Sequence, residues 1–365
     1  MPKYKICVYT ICRNEEKFVD RWMDSMSEAD MVIVTDTGSE DETVKKLRER
    51  GAVVYEEKVD PWRFDTARNI AMDHVPDDAD ICVSADLDEI FDPGWRDKLE
   101  KAWQPEHTRA SYWFSWAPET EGIPNRFFSM EKIHRRRDFR WIHPVHEILE
   151  YSGDDPDNIV YIDDIFLRHY PDTDKSRYQY LPLLELSSRE NPQDDRTMFW
   201  LGREYAFAGL NDKAIDTLEK HLKLENAVWD EERSASMRYI ALIHKADKNY
   251  DQAKSWLFRA VAECRRAREP WFELAALGYK QNDWPLTFYA VHSALAITQS
   301  TNSYLVEPKA WGYHLYDLGA IACYHLDMYE KALEYADEAC SVYPDNKRLI
   351  RNRELIAAKL SQDPK

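Results

Sequence analysis

The stretch Ile81-Cys82-Val83-Ser84-Ala85-Asp86-Leu87-Asp88-Glu89-Ile90-Phe91 sets three acids directly after a short apolar run. Two carboxylates one residue apart, on a chain leaving a sheet, have the chemistry to share a hard divalent cation. Magnesium and manganese take oxygen ligands, few of them from the protein, alongside the phosphates of a substrate. The plainer reading of the same residues is a solvated acidic turn in which Glu89 caps a helix. What separates the two readings is the set of elements that must carry these acids.

Residues 81–85 have the length and β-branched content of a buried strand, which places Asp86 and Asp88 at its carboxyl end. Ahead of it, residues 5–11 read as a first strand, 31–34 as a second and 52–55 as a third, with helices expected over 17–26, 42–50 and 65–73. Ser39-x-x-Glu42 reads as a capping box for the second helix, and Gly51 sits where a C-cap glycine belongs. Alternating strands and helices predict a parallel, doubly wound sheet. Ligands bind such sheets outside the strands' carboxyl ends, so Asn14, Asp36 and the pair Asp86 and Asp88 converge on one edge. Asp36 has the lone pairs to accept from a nucleobase N–H or a ribose hydroxyl, and Arg68 can grip a diphosphate with two parallel bonds. Their plainer roles are a turn former and a surface helix residue. Neither a Gly-x-Gly-x-x-Gly run nor a P-loop lysine motif is present, which weighs against dinucleotide and P-loop folds.

Composition narrows the class. A chain of 365 residues is long for one domain and comfortable for two, and 44% hydrophobic residues suffice for a sizeable core. The scarcity of glycine, 10 residues in all, points to a helix-rich architecture over much of the length. A net charge of −18 opposes nonspecific binding to nucleic-acid phosphate, with the cluster 134–140 as the one basic exception. The six cysteines show no zinc spacing and read as buried reduced thiols of a cytosolic protein. The first residues lead straight into a strand, and no apolar run nears the roughly 20 residues that span a bilayer. A soluble, cytoplasmic protein with no membrane partner is expected.

Four segments taken in order carry a resemblance: Cys12-Arg13-Asn14-Glu15-Glu16, Thr35-Asp36-Thr37-Gly38-Ser39-Glu40-Asp41-Glu42-Thr43, Ala67-Arg68-Asn69 and Asp86-Leu87-Asp88-Glu89. Together they resemble the ordered motifs of family-2 glycosyltransferases of the GT-A fold. The subgroup most similar joins this domain to tetratricopeptide repeats, in the bacterial and phage enzymes of the peptide S-glycosyltransferase type. The resemblance implies an α/β, Rossmann-like GT-A domain that moves a hexosyl or pentosyl group from a nucleotide sugar, of UDP type, with inversion. It implies Mn2+ or Mg2+ on Asp86 and Asp88. Thr10, Asn14, Asp36, Arg68 and Asp86 would hold the donor. Leu87 stands where many members have a small residue. A His-Glu pair in the family's acceptor region makes Glu147 the candidate general base and His146 a candidate metal or phosphate contact. His169, just after a late strand-like run over 159–167, would match a third metal ligand. Asp138 and Glu119 are the next carboxylates to consider as the base. Trp113 and Trp116 are candidates for stacking on a sugar, with core packing as the alternative, and the basic cluster 134–140 offers a grip on diphosphate, on an acidic acceptor or on neighbouring acids.

Beyond residue 176 the apolar spacing becomes helical, opening with a helix over 176–190 expected to pack on the first domain. Leu201-Gly202-x-x-Tyr205 with Ala214 matches the tetratricopeptide signature, and further copies align on Ala253, Thr287 and Ala332, spaced 39, 34 and 45 residues apart. A catalytic domain over 1–172 and an all-α repeat solenoid over 173–365 are therefore expected. The solenoid would hold a partner on its concave face or form a homodimer. The acceptor stays open between a peptide or protein, a glycan and a modified phage DNA base. Two other classes also remain: a non-catalytic repeat scaffold with a degenerate nucleotide-sugar domain, and a sugar nucleotidyltransferase, although the glycine-rich loop of the latter is missing.

Overall fold

The computed structural model describes residues 3–116, 127–172 and 179–362. The described residues divide into two compact units, one running as far as Glu190 and the other from Asn191 onward.

In the first unit the apolar runs form the strands β1 (Ile6–Cys12), β2 (Met31–Asp36), β3 (Val53–Glu56) and β4 (Ile81–Ser84). They pair in parallel in the order β3-β2-β1-β4. Ile6 to Tyr9 and Ile81 to Ala85 are fully buried, as strands covered on both faces must be. The helices α1 (Val19–Met26), α2 (Thr43–Glu49) and α3 (Phe64–Asp73) make the crossovers. The switch point, where the chain passes from one side of β1 to the other, falls between β1 and β4.

The expected all-parallel sheet stops there. After β5 (Glu89–Phe91) and α4 (Trp95–Ala102) come β6 (Arg109–Ser115), β7 (Phe127–Arg135) and β10 (Ile159–His169), which extend the sheet as β4-β7-β6-β10-β5. The pairs β4/β7, β7/β6 and β10/β5 are antiparallel, so the eight-stranded sheet is mixed. The hairpin β8 (Phe139–Ile142) and β9 (Ile148–Tyr151) stands as a separate two-stranded sheet. The basic cluster is therefore largely structural. His134 is buried on β7, Arg135 pairs with Asp138 and Asp155, and Arg136 donates to the Val75 carbonyl.

The capping box is also not formed. Ser39 Oγ donates to Asp36, and α2 starts without a side-chain cap. The next helix, α5 (Tyr180–Glu190), packs on the same unit through the Phe64–Tyr180 ring contact and a 2.5 Å Arg63–Glu190 ion pair. Residues 176–178 of the helix expected there, and the candidate base Glu119, lie outside the described residues.

The second unit is an array of helical hairpins: α6 (Asp195–Phe207) with α7 (Asn211–His221), α8 (Asp230–Ala246) with α9 (Tyr250–Glu263), α10 (Glu269–Gln281) with α11 (Trp284–Leu295) and α12 (His314–His325) with α13 (Tyr329–Val342). The helix α14 (Lys347–Gln362) closes it. Ala214, Ala253, Thr287 and Ala332 each sit on the second helix of a hairpin and are fully buried. Close approach explains the small residues opposite them. A Cβ added at Gly202 would lie 2.6 Å from the Leu218 side chain, and one at Gly278 would lie 2.7 Å from Thr287 Oγ1.

The long spacing before Ala332 is a strap, residues 297–313, laid against the first helices of three hairpins. Tyr304 stacks on Trp200 and donates to Glu232, Glu307 pairs with Arg238, and Trp311 donates to Glu269. Glu232, Arg238 and Glu269 are buried charges, and the strap supplies each of them with a polar partner. All six cysteines are free, and five are buried. Among the described residues no helix is long and apolar enough to cross a membrane.

Candidate active site

The strand ends β1 and β2 are knitted together before they meet any ligand. Asp36 Oδ2 accepts from the backbone N–H groups of Gly38 (3.0 Å) and Ser39 (2.9 Å), while Oδ1 accepts from Ser39 Oγ and from Cys12 Sγ (3.4 Å). Gly38, at φ +104°, occupies the left-handed region that this turn requires. Asn14, itself left-handed at φ 54°, donates its N–H to Ser39 Oγ (2.8 Å) and accepts from the Glu40 N–H (2.7 Å). Asp36 is buried and organises this loop with its carboxylate. The expected donor contact by Asp36 would come from the loop it shapes as much as from its own oxygens.

At the switch point, Thr10 Oγ1 lies 3.4 Å from Asp86 Oδ1. Leu87, between the two acids, is fully buried and anchors the turn that carries them. Asp86 does not share its oxygens with Asp88. Arg68 Nη1 and Nη2 donate to its two oxygens at 2.7 and 2.9 Å, and Arg68 Nε donates to Glu147 Oε1 at 2.5 Å. Arg68 is thus buried between the donor-side acid and the candidate base, and is not a surface helix residue. Burial pushes the Asp86 carboxyl up, but Arg68, backed by Lys132 at 3.9 Å, outweighs it and holds the group well below the usual carboxylate range.

Glu89 neither caps a helix nor faces solvent. It is buried on β5, its Oε2 accepts the Asp86 N–H at 2.8 Å, and its Oε1 pairs with Lys132 at 3.1 Å. Burial is the main cause raising the Glu89 carboxyl, opposed by Lys132 and reinforced by Asp86 and Asp88. Lys132 carried no signal in the sequence. It enters because β7 pairs Ile133 with Val83, beside the acids.

His169 and Asp88 do meet. The pairing of β10 with β5 sets His169 opposite Glu89, and the Tyr170 N–H donates to the Asp88 carbonyl at 2.8 Å. His169 Nε2 lies 3.1 Å from Asp88 Oδ2, and Nδ1 lies 2.9 Å from the Trp116 carbonyl. Burial lowers the His169 pKa, but the bond to Asp88 and its charge prevail, so the net shift is upward. His146 instead packs edge-on against Tyr180, with ring centroids 5.5 Å apart. Trp116 is half exposed at 50%, a departure from core packing, and its ring meets His169 at 5.7 Å. Trp113 is only partly buried. Asp138 accepts from Arg135 at 2.6 Å and precedes β8, whereas Glu147 follows it, just before β9.

Among the described residues no group of three or more His, Cys, Asp or Glu is gathered to hold a metal ion. The donor set nonetheless fits a hard divalent cation that keeps most of its shell for water and phosphate. Asp88 supplies a carboxylate, and His169 supplies a nitrogen whose ring partner is committed to a backbone carbonyl, the usual second contact of a ligating histidine. The surrounding charge agrees. Among the described residues, the permanent cations paired with the group Asp86, Asp88, Glu89 and Glu147 are Arg68 and Lys132.

A mixed α/β sheet with polar side chains gathered at its switch point is the arrangement in which open α/β domains bind ligands. Residues 7–164 match the family described as Glycosyl transferase family 2, so the first unit carries a glycosyltransferase domain. No curated protein matches the chain. Similar solved structures include YrrB, a TPR protein with an unusual peptide-binding site (12% identity, TM-score 0.40, covering 49% of this chain and 84% of that one). Others are MamA (16% identity, TM-score 0.38, covering 49% and 99%) and pilF of Pseudomonas aeruginosa (14% identity, TM-score 0.38, covering 49% and 72%). At these values no ligand or partner carries over to this chain.

Proposed function

We propose that the protein transfers a sugar from a nucleotide-sugar donor of UDP type to an acceptor, with inversion and with the help of Mn2+ or Mg2+. The observation that carries this reading is the Asp88–His169 pair at the end of β4, with His169 Nδ1 tied to the Trp116 carbonyl. Asp88 and His169 would hold the cation, with Asp86 beside them. When bound, the cation neutralises charge on the departing diphosphate.

The rest of the work falls to the chain's own groups. The loop built on Asp36 and Asn14 borders the donor at the ends of β1 and β2. Arg68 holds Glu147 by Oε1, which leaves Oε2 to take the acceptor's proton as the acceptor heteroatom bonds to the anomeric carbon and the bond to the diphosphate breaks. The peptide-modifying subgroup that the motifs resemble makes a peptide or protein side chain the acceptor to try first.

The test is calorimetric titration of UDP into the full chain with and without manganese. Binding that needs manganese, and that is weakened by Asp88→Asn and by His169→Ala, is the expected result. Absence of binding by UDP and by every other nucleoside diphosphate, with manganese present, overturns the reading.

A further inference from the structure

We propose that Trp141 is the positioning residue of Arg68: its indole is the surface that fixes the plane in which one guanidinium holds Asp86 and Glu147 apart. The proposal deepens the reading of this site as a sugar-transfer centre and rests on it for its functional consequence.

Three edge bonds from Arg68 define where the guanidinium must lie, to Asp86 at 2.7 and 2.9 Å and to Glu147 at 2.5 Å. Bonds in the plane do not stop a guanidinium from tilting out of it, and a flat face beneath it does. The Arg68 guanidinium carbon lies 5.1 Å from the centre of the Trp141 ring, within the range of a cation–π contact.

Trp141 is itself immobilised at its backbone and at its edge. Asn69, the residue after Arg68 on α3, donates Nδ2–H to the Trp141 carbonyl at 2.8 Å and accepts the Trp141 N–H on Oδ1 at 2.9 Å. The helix that carries the guanidinium is therefore bolted to the backbone of the residue beneath it. The indole Nε1–H donates to Tyr9 OH at 2.9 Å, and Tyr9 OH donates to His134 Nε2 at 2.9 Å. His134 Nδ1–H in turn donates to the Arg135 carbonyl at 2.6 Å, which fixes the tautomer that makes Nε2 an acceptor. Tyr9, His134 and Trp141 are all buried. A buried indole N–H needs an acceptor in any case; what ties Trp141 to Arg68 is the two-bond clamp from Asn69, the next residue on α3.

The experiment follows the Arg68 Nε–H by NMR in the full chain labelled with 15N-arginine. In the parent this proton is expected to exchange slowly. Trp141→Leu removes the face and should speed exchange at least tenfold, whereas Trp141→Phe keeps a face and should restore most of the protection. Trp95→Leu, a fully buried tryptophan elsewhere in the unit, controls for general loosening. If Trp141→Leu speeds exchange no more than Trp95→Leu does, Trp141 is only core and the proposal falls. Should Trp141→Leu fail to fold, Tyr9→Phe keeps every ring and frees the indole edge together with His134 Nε2. It should speed exchange about threefold, and unchanged exchange overturns the proposal. Sugar transfer is measured on the same variants. In a double-mutant cycle the loss caused by Trp141→Leu should vanish in an Arg68→Gln background, because Trp141 acts through Arg68. A parent that turns over no nucleotide sugar refutes the proposed function, while the exchange data still decide the role of Trp141.

Discussion

Acidification should loosen the α/β unit through one residue, His134. Its ring is fully buried, accepts from Tyr9 OH and donates to the Arg135 carbonyl, so the neutral form is the one the fold accommodates. Burial, with Arg136 and Arg109 nearby, pushes its pKa from the ordinary 6.5 down to about 3, against the pull of the backbone bond. The sign follows from linkage. With the folded value below the unfolded one, the unfolded chain takes up the proton first, so stability is lost as pH falls below 6.5 and the loss saturates near pH 3. Each unit is worth about 1.4 kcal/mol, so pH 5 removes about 2 kcal/mol, an opening equilibrium shifted roughly 30-fold. His134→Gln carries no proton at either pH, and subtracting its pH response cancels the carboxylates common to both proteins. The assay is amide hydrogen exchange of β1, β4 and β7 at pH 7 and pH 5, corrected for intrinsic rates. Parent and variant should differ in their pH response by about 2 kcal/mol of opening free energy. Parallel responses would refute the assignment of His134 as a buried neutral acceptor.

Other expectations follow from the same geometry. Gly202→Ala should destabilise the helical unit by about 1–3 kcal/mol in urea unfolding, because its Cβ meets Leu218 at 2.6 Å in a packed hairpin. A cost near zero would mean that α6 and α7 separate freely. Tyr304→Phe should cost about 1–3 kcal/mol by leaving buried Glu232 short of a donor 2.8 Å away, and an unchanged melting transition would show the strap to be dispensable. Glu147→Gln should spare manganese-dependent UDP binding and cut transfer roughly 100-fold or more, whereas His169→Ala should weaken the binding itself. The reverse pattern would exchange the two roles.

Much of this architecture was legible because periodicity and burial coincide. The runs 5–11, 31–34 and 81–85 became the central parallel strands, and the small residues Ala214, Ala253, Thr287 and Ala332 marked the second helices of the hairpins. The antiparallel half of the sheet was not legible. The run 159–167 read as strand-like, but 127–135 gave no strand reading, and nothing local says that β7 inserts between β4 and β6. That insertion brings Lys132 to the acids and buries His134, so the cluster 134–140 that looked like a basic patch gives its histidine to the core and Arg135 to surface ion pairs, while Lys132, outside it, joins the acids. Ser39 shows how a local rule loses to a tertiary one. Its spacing to Glu42 suits a cap, yet its hydroxyl bonds to buried Asp36, where an unsatisfied carboxylate would be costly. The pairing of Arg68 with both Asp86 and Glu147 had no sequence signature, because its three residues come from elements far apart in the chain.

The most direct test of the central claim is a donor screen in the presence of manganese and without acceptor, following release of nucleoside diphosphate from a panel of nucleotide sugars. Slow hydrolysis of one UDP-sugar is expected, abolished by chelator, restored by manganese and largely lost in Asp88→Asn with the fold intact by circular dichroism. Full hydrolysis by Asp88→Asn in chelator, or no turnover of any nucleotide sugar by the parent, contradicts the account.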